Sequence, residues 1–223
     1  MTFVDDLTLI LDLLILVTVT VFYTGVLVWF EMRRKDPVRA NTHLHEGAIL
    51  LGMLGGVIGI VSIWGELAWP ITGFPGAQSY DLFFYDVLIL LGLLLIAFAI
   101  TVRQHLPTHF VGMLGVIIGL GVFFYGVRAY QLGLTKDPLE TLLMYLAFGG
   151  VAILSYPATL FIDWFVVGPT VPGADPLPSN PTPDYPWIWK ILLGLFMAAV
   201  LLAGVAAVLY GISAAWAHLA SPP

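Results

Sequence analysis

Four of the five histidines in this chain fall in two short strings, THLHEG (residues 42–47) and QHLPTHF (residues 104–110). His43 and His45 are two residues apart; His105 and His109 are four apart. Each string precedes a long apolar run, so each is expected to open a membrane span. Neutral imidazole is the form that binds metal, and the partial positive charge of a helix N-terminus favours it. Glu46 adds a carboxylate, either as a ligand or as an acceptor behind one. Such residues would support a zinc, copper or iron ion at this surface. Haem fits less well, because axial histidines are needed on facing helices at depth, whereas these are expected near the interface. The competing reading is that they cap helices and contact headgroups or water.

A second constellation is expected at the opposite surface. The string WGELAWPITGFPGAQSYDLFFYD (residues 64–86) gathers Trp64, Glu66, Trp69, Asp81, Tyr85 and Asp86 between two apolar runs. Arg128, in FFYGVRAYQ, and Glu140 are expected at the same level. Charges at membrane depth persist when they are paired or face water. Arg128 is the only base among them and the natural partner of Glu66, Asp86 or Glu140. Asp81 and Tyr85, four apart, share a helical face. The prolines and glycines are expected to fold the segment back over the mouth of the bundle, with Trp69 anchored at the interface. The acids then either line a polar cavity that binds an ion or small solute, or clamp neighbouring spans through Arg128. Other chemistries find no support: cysteine is absent, Ser62, Ser155 and Ser213 have no evident base, and there is no phosphate-binding loop.

The elements that must position these groups follow from composition. The 223 residues are 60% hydrophobic and only 10% charged, against about 25% charged in soluble domains. The apolar runs reach the roughly 20 residues that cross a bilayer. Six spans are expected, at about 7–30, 47–67, 82–102, 110–130, 139–165 and 187–216. The first residues lack the basic start and cleavage site of a signal peptide, so the first span is expected to stay in the mature chain. With the N-terminus outside, Arg33, Arg34, Lys35, Arg39, Arg103 and Lys190 face the cytoplasm and only Arg128 and Lys136 face out. That bias predicts both termini on the non-cytoplasmic side. The histidine strings then lie at the cytoplasmic surface, and the fifth histidine, His218, lies on the other side. Residues 166–186, rich in proline, are expected as a stiff cytoplasmic tether. A net charge of −6, with no basic run beyond RRK, argues against nucleic-acid binding.

The chain also repeats itself. GMLGGVIG (residues 52–59) matches GMLGVIIG (residues 112–119) at six of eight positions, and the same offset of 60 places His45 on His105, Leu82 on Leu142 and Tyr85 on Tyr145. Each unit holds two spans, so the copies, about 45–103 and 105–163, share one orientation and form a parallel repeat. The pairs Gly52/Gly56, Gly55/Gly59 and Gly115/Gly119 are small residues at helical spacing that let backbones approach closely. Spans two and four are expected to cross at the bundle centre. The pseudo-axis should bring His45 near His105.

Within the outer string, Trp64, Gly65, Trp69, Pro70, Gly73, Tyr80, Phe84, Tyr85 and Asp86 resemble the loop motif of an uncharacterised archaeal and bacterial family of multi-pass membrane proteins, a domain of unknown function. The resemblance implies an architecture and no reaction. The expected fold is thus an all-α integral membrane bundle of six helices in a single domain of the cell membrane. Its partners are the bilayer and, potentially, other membrane subunits. The leading functional expectation is an accessory or structural subunit of a membrane complex, conceivably respiratory. The alternatives are an ion or solute carrier using the outer polar cavity, and a metal- or haem-dependent redox protein using the histidines.

Overall fold

The computed structural model describes residues 6–68, 77–135, 138–167 and 187–220. Its elements are α1 (Asp6–Arg33), α2 (Pro37–Ala68), α3 (Ala77–Arg103), α4 (His109–Leu132), α5 (Pro138–Phe161), a π-helical extension of α5 (Ile162–Val167) and α6 (Trp187–Ala220). All six helices are long and apolar enough to cross a membrane. The protein is a multi-pass membrane protein.

Local chemistry explains the ends. α2 opens at Pro37 rather than at residue 47, because Asp36 and Pro37 supply a start signal that outweighs the polar residues after them. The Asp36 carboxylate accepts the Arg39 N–H at 3.0 Å, and proline suits the first helical position. His43 and His45 therefore lie within α2 rather than at its opening. α1, α3 and α4 each stop in a left-handed residue, namely Lys35 (φ 62°), His105 (φ 55°) and Gly133 (φ 58°). In each case the next two N–H groups fold back on the last turn; at α3 the His105 N–H donates to the Val102 carbonyl and Leu106 to Thr101.

Each helix packs on the next and α6 returns to α1, closing a ring, while the π-helical extension of α5 also reaches α2. The tightest packings are α2 on α3 and α4 on α5, the two hairpins of the repeat. Their contacts obey the offset of 60. A Cβ on Gly55 would lie 2.8 Å from the Gly92 carbonyl oxygen, and one on Gly115 would lie 2.9 Å from that of Ala152. Gly52 faces Ala99 as Gly112 faces Thr159. Tyr85 packs on Gly65 and its counterpart Tyr145 on Gly126, one residue beyond the offset. The expected crossing of α2 with α4 is not found among the described residues; Gly52 and Gly55 of α2, and Gly112, Gly115, Gly119 and Gly126 of α4, face their own hairpin partners. Each repeat unit spends its small residues internally, where backbone proximity replaces hydrophobic drive.

Candidate functional site

The end of the bundle that carries Arg33, Arg34, Lys35, Arg39, Arg103 and Lys190 also carries the four histidines. The repeat's prediction for two of them is met: the rings of His45 and His105 lie 5.0 Å apart, centroid to centroid. His45 Nδ1 lies 2.9 Å from the Asn41 carbonyl oxygen. A carbonyl only accepts, so Nδ1 is the donor in this bond. His105 is exposed and takes the left-handed conformation without being glycine, a costly choice for an L-residue. His43 turns to Glu46 (Nδ1 to Oε2, 3.2 Å). His109 turns to Asp163 (Nδ1 to Oδ2, 2.7 Å). Three of the four thus have own-chain partners. Among the described residues no three His, Asp or Glu side chains gather as a metal would need. The His45–His105 pair can share a proton or offer two nitrogens to a cation; it supplies no third ligand.

Asp163 is the residue that the sequence reading missed. It sits in the π-helical extension of α5 and caps α4 from outside. Its Oδ1 accepts the Thr108 N–H at 2.7 Å and the Thr108 hydroxyl at 2.8 Å. Its Oδ2 accepts the His109 N–H at 2.9 Å besides the imidazole. Thr108 occupies the N-cap of α4 without capping it by its own side chain, so the carboxylate of another helix performs that task at the positive end of the helix dipole. The available signal was a lone acid in the last apolar turn of span five, in FIDWF. The extra residue per turn of a π segment is what aims it at α4.

The opposite end does not assemble the expected ion pairs. Arg128 is exposed and donates to Gln131 of its own helix at 3.3 Å; among the described residues it forms no salt bridge with Glu66, Asp86 or Glu140. The reason is helical phase. Val122, Gly126 and Ala129 form the buried stripe of α4, and Arg128 points off it. Glu140 is exposed in the first turn of α5, Trp64 is exposed on α2, and Glu66 is half-buried. Asp86 receives a long hydrogen bond from the Tyr125 hydroxyl, 3.4 Å. Tyr85 is buried against Gly65. Trp69 lies outside the described residues, as does the side chain of Asp81, so the expected fold-back over the bundle mouth falls there too.

The cavity is elsewhere, and it is not polar. A space of about 250 Å³ runs inside the ring, lined from all six helices, among others by Val17, Leu51, Leu91, Ile118, Phe148 and Val200. Of its few polar side chains, Thr18, Ser155 and Thr159 donate their hydroxyl protons to carbonyls of their own helices. Buried apolar clusters lie toward its two ends and share residues with its lining. Met32, Ala40, Leu44, Val102, Phe161 and Val166 belong to the one at the basic end, and Ile10, Tyr85, Ala129, Tyr145 and Ala207 to the other.

The chain belongs to the family described as "Protein of unknown function (DUF981)", whose model matches residues 1–221. No curated protein and no solved structure matches it.

Proposed function

We propose that this membrane protein binds a lipophilic molecule inside its ring of six spans. The observation that carries the reading is the cavity of about 250 Å³, lined from every helix and nearly free of polar groups. Left empty, such a space forfeits packing at about 24 cal/mol per Å³, which for this volume amounts to about 6 kcal/mol. That is comparable to the whole stability of many domains, about 5–15 kcal/mol. Water is a poor filler where hydrogen-bond partners are few, whereas apolar cavities of about 150 Å³ take up small apolar molecules. A hydrophobic occupant satisfies the lining. The experiment is mass spectrometry of the protein released from mild detergent, with Leu88→Trp as the comparison, since Leu88 is buried and lines the cavity. The reading expects a co-purifying lipophile that the larger side chain displaces, together with a higher melting temperature for the variant. A wild type without any apolar adduct would refute it.

A second reading, a subunit that docks sideways in a membrane complex, has its own supporting observation. Gly56, Gly59, Gly121, Gly150 and Gly194 are helical glycines whose Cβ positions meet nothing among the described residues. Each costs about 1 kcal/mol relative to alanine, and at each of them a methyl group would meet no described atom. Gly56→Leu would break a partner helix's close approach, read as loss of a larger species in native electrophoresis of mild membrane extracts. An unchanged migration would count against it.

A further inference from the structure

We infer that the occupant is a bilayer phospholipid whose acyl chain passes sideways between α3 and α4, with its phosphate near Arg103. This rests on the reading of the cavity as a binding site and adds the ligand's class and its route. The lining is almost wholly apolar, so a lipophilic occupant would come from the bilayer, through the wall of the ring. Five of its six junctions are well sealed. Within the repeat hairpins, backbones meet at glycine distance, with Gly55 against Gly92 and Gly119 against Gly149. α1 is pinned to α2 where Thr24 abuts Gly47, and to α6 where Met197 abuts Gly25 and Thr18 abuts Gly204. α5 packs on α6 about as closely as α1 does on α2.

The α3–α4 junction, where the two repeat units meet, is by far the least packed. The atom of α3 nearest a Cβ on Gly115 is the tip of Leu94, at 3.7 Å, whereas backbone of α5 lies at 2.9 Å. Leu94 also lines the cavity, together with Leu91 and Phe98 of α3 and Ile118 of α4. Rotamer changes of such side chains open a gap of alkyl width without moving backbone, which the glycine-sealed junctions cannot do.

The foot of the same seam is basic. Arg103 ends α3, is exposed, and forms no ion pair among the described residues. His105 follows it. A guanidinium at this level matches a lipid phosphate, and the chain attached to that phosphate would begin at the seam.

The test uses the full chain in phosphatidylcholine vesicles doped with a phospholipid that carries a photoactivatable diazirine at the end of one acyl chain. Adducts are mapped by peptide mass spectrometry after brief illumination. The inference expects adducts on inward residues such as Leu14 and Val17. It expects at least fivefold fewer in Leu94→Trp and more in Leu94→Ala, with Arg103→Gln lowering interior labelling by an anionic phospholipid more than by phosphatidylcholine. Interior adducts that neither Leu94 variant changes would overturn the route while leaving the binding reading intact. Adducts confined to outward residues such as Ile60 and Val205 would refute both. The widening variant keeps the test decisive should the tryptophan variant fail to fold.

Discussion

Replacing Asp163 with alanine should be among the most damaging single changes outside the apolar packing. The carboxylate accepts two backbone N–H groups, one hydroxyl and one imidazole N–H, all within 2.9 Å. Losing a helix cap costs about 1 kcal/mol, up to about 2, and here two N–H groups of α4 lose their acceptor. Thr108 is 1% exposed, so water does not replace it. The Thr108 hydroxyl keeps a second acceptor, the Thr159 carbonyl at 3.2 Å, and contributes little to the loss. The His109 bond joins a charged group and is nominally worth about 1.5–3 kcal/mol. The imidazole is about a third exposed, which places it nearer 1 kcal/mol. The sum is about 3 kcal/mol for Asp163→Ala and about 1–2 kcal/mol for Asp163→Asn, whose amide retains one acceptor. Equilibrium unfolding in mixed detergent micelles measures this, and a double-mutant cycle with His109→Ala should return a coupling of about 1 kcal/mol. An alanine variant that loses less than about 1 kcal/mol, or a cycle with no coupling, would refute the capping argument.

Other expectations separate roles that look alike in sequence. His105→Val should lower stability by about 1–2 kcal/mol, because a β-branched residue is strained at φ 55°, while His105→Gly should be neutral or better; equal losses would mean that the ring contact with His45 dominates. Gly119→Val should cost about 1–3 kcal/mol through overpacking, since its Cβ would sit 2.6 Å from the Gly149 carbonyl oxygen. Two residues on, Gly121→Ala should raise monomer stability by about 1 kcal/mol, and a loss there would point to a partner helix at that face. Treatment with a chelator should leave the melting temperature within about 1 °C, because three histidines of the basic end already have own-chain partners; a clear drop would place a metal on the His45–His105 pair.

How much was legible depended on whether the signal was local. Six spans follow from charge scarcity and run length, which need no knowledge of neighbours. The repeat was legible because both strings keep their glycines, and it placed His45 beside His105 correctly. What those glycines pack against was not legible. Spacing announces a close approach without naming the partner, and the partner proved to be the adjacent helix of the same hairpin. Arg128 is matched to Glu66, Asp86 or Glu140 by its charge alone, whereas Val122, Gly126 and Ala129 mark a buried face of α4 that excludes it. Asp163 was hidden for the opposite reason. It lay inside an apolar run and read as the end of a span, whereas only the π-helical turn explains its aim.

The cavity has the least local cause of all, and geometry explains it. Helices pack about 8–10 Å apart. Six equal cylinders in an open ring would enclose at their centre room for a seventh; here the extension of α5 reaches α2 at one end, and side chains must fill the rest. This chain turns its small residues toward the hairpin interfaces, drawing α2 to α3 and α4 to α5. It leaves Leu, Val and Phe side chains to reach inward from the ring. Those side chains form the apolar clusters around the centre and leave the space between them unfilled. The same pairing of helices that tightens each hairpin leaves the junction between hairpins loose at α3–α4, so one packing choice accounts for both the unfilled centre and the seam beside it.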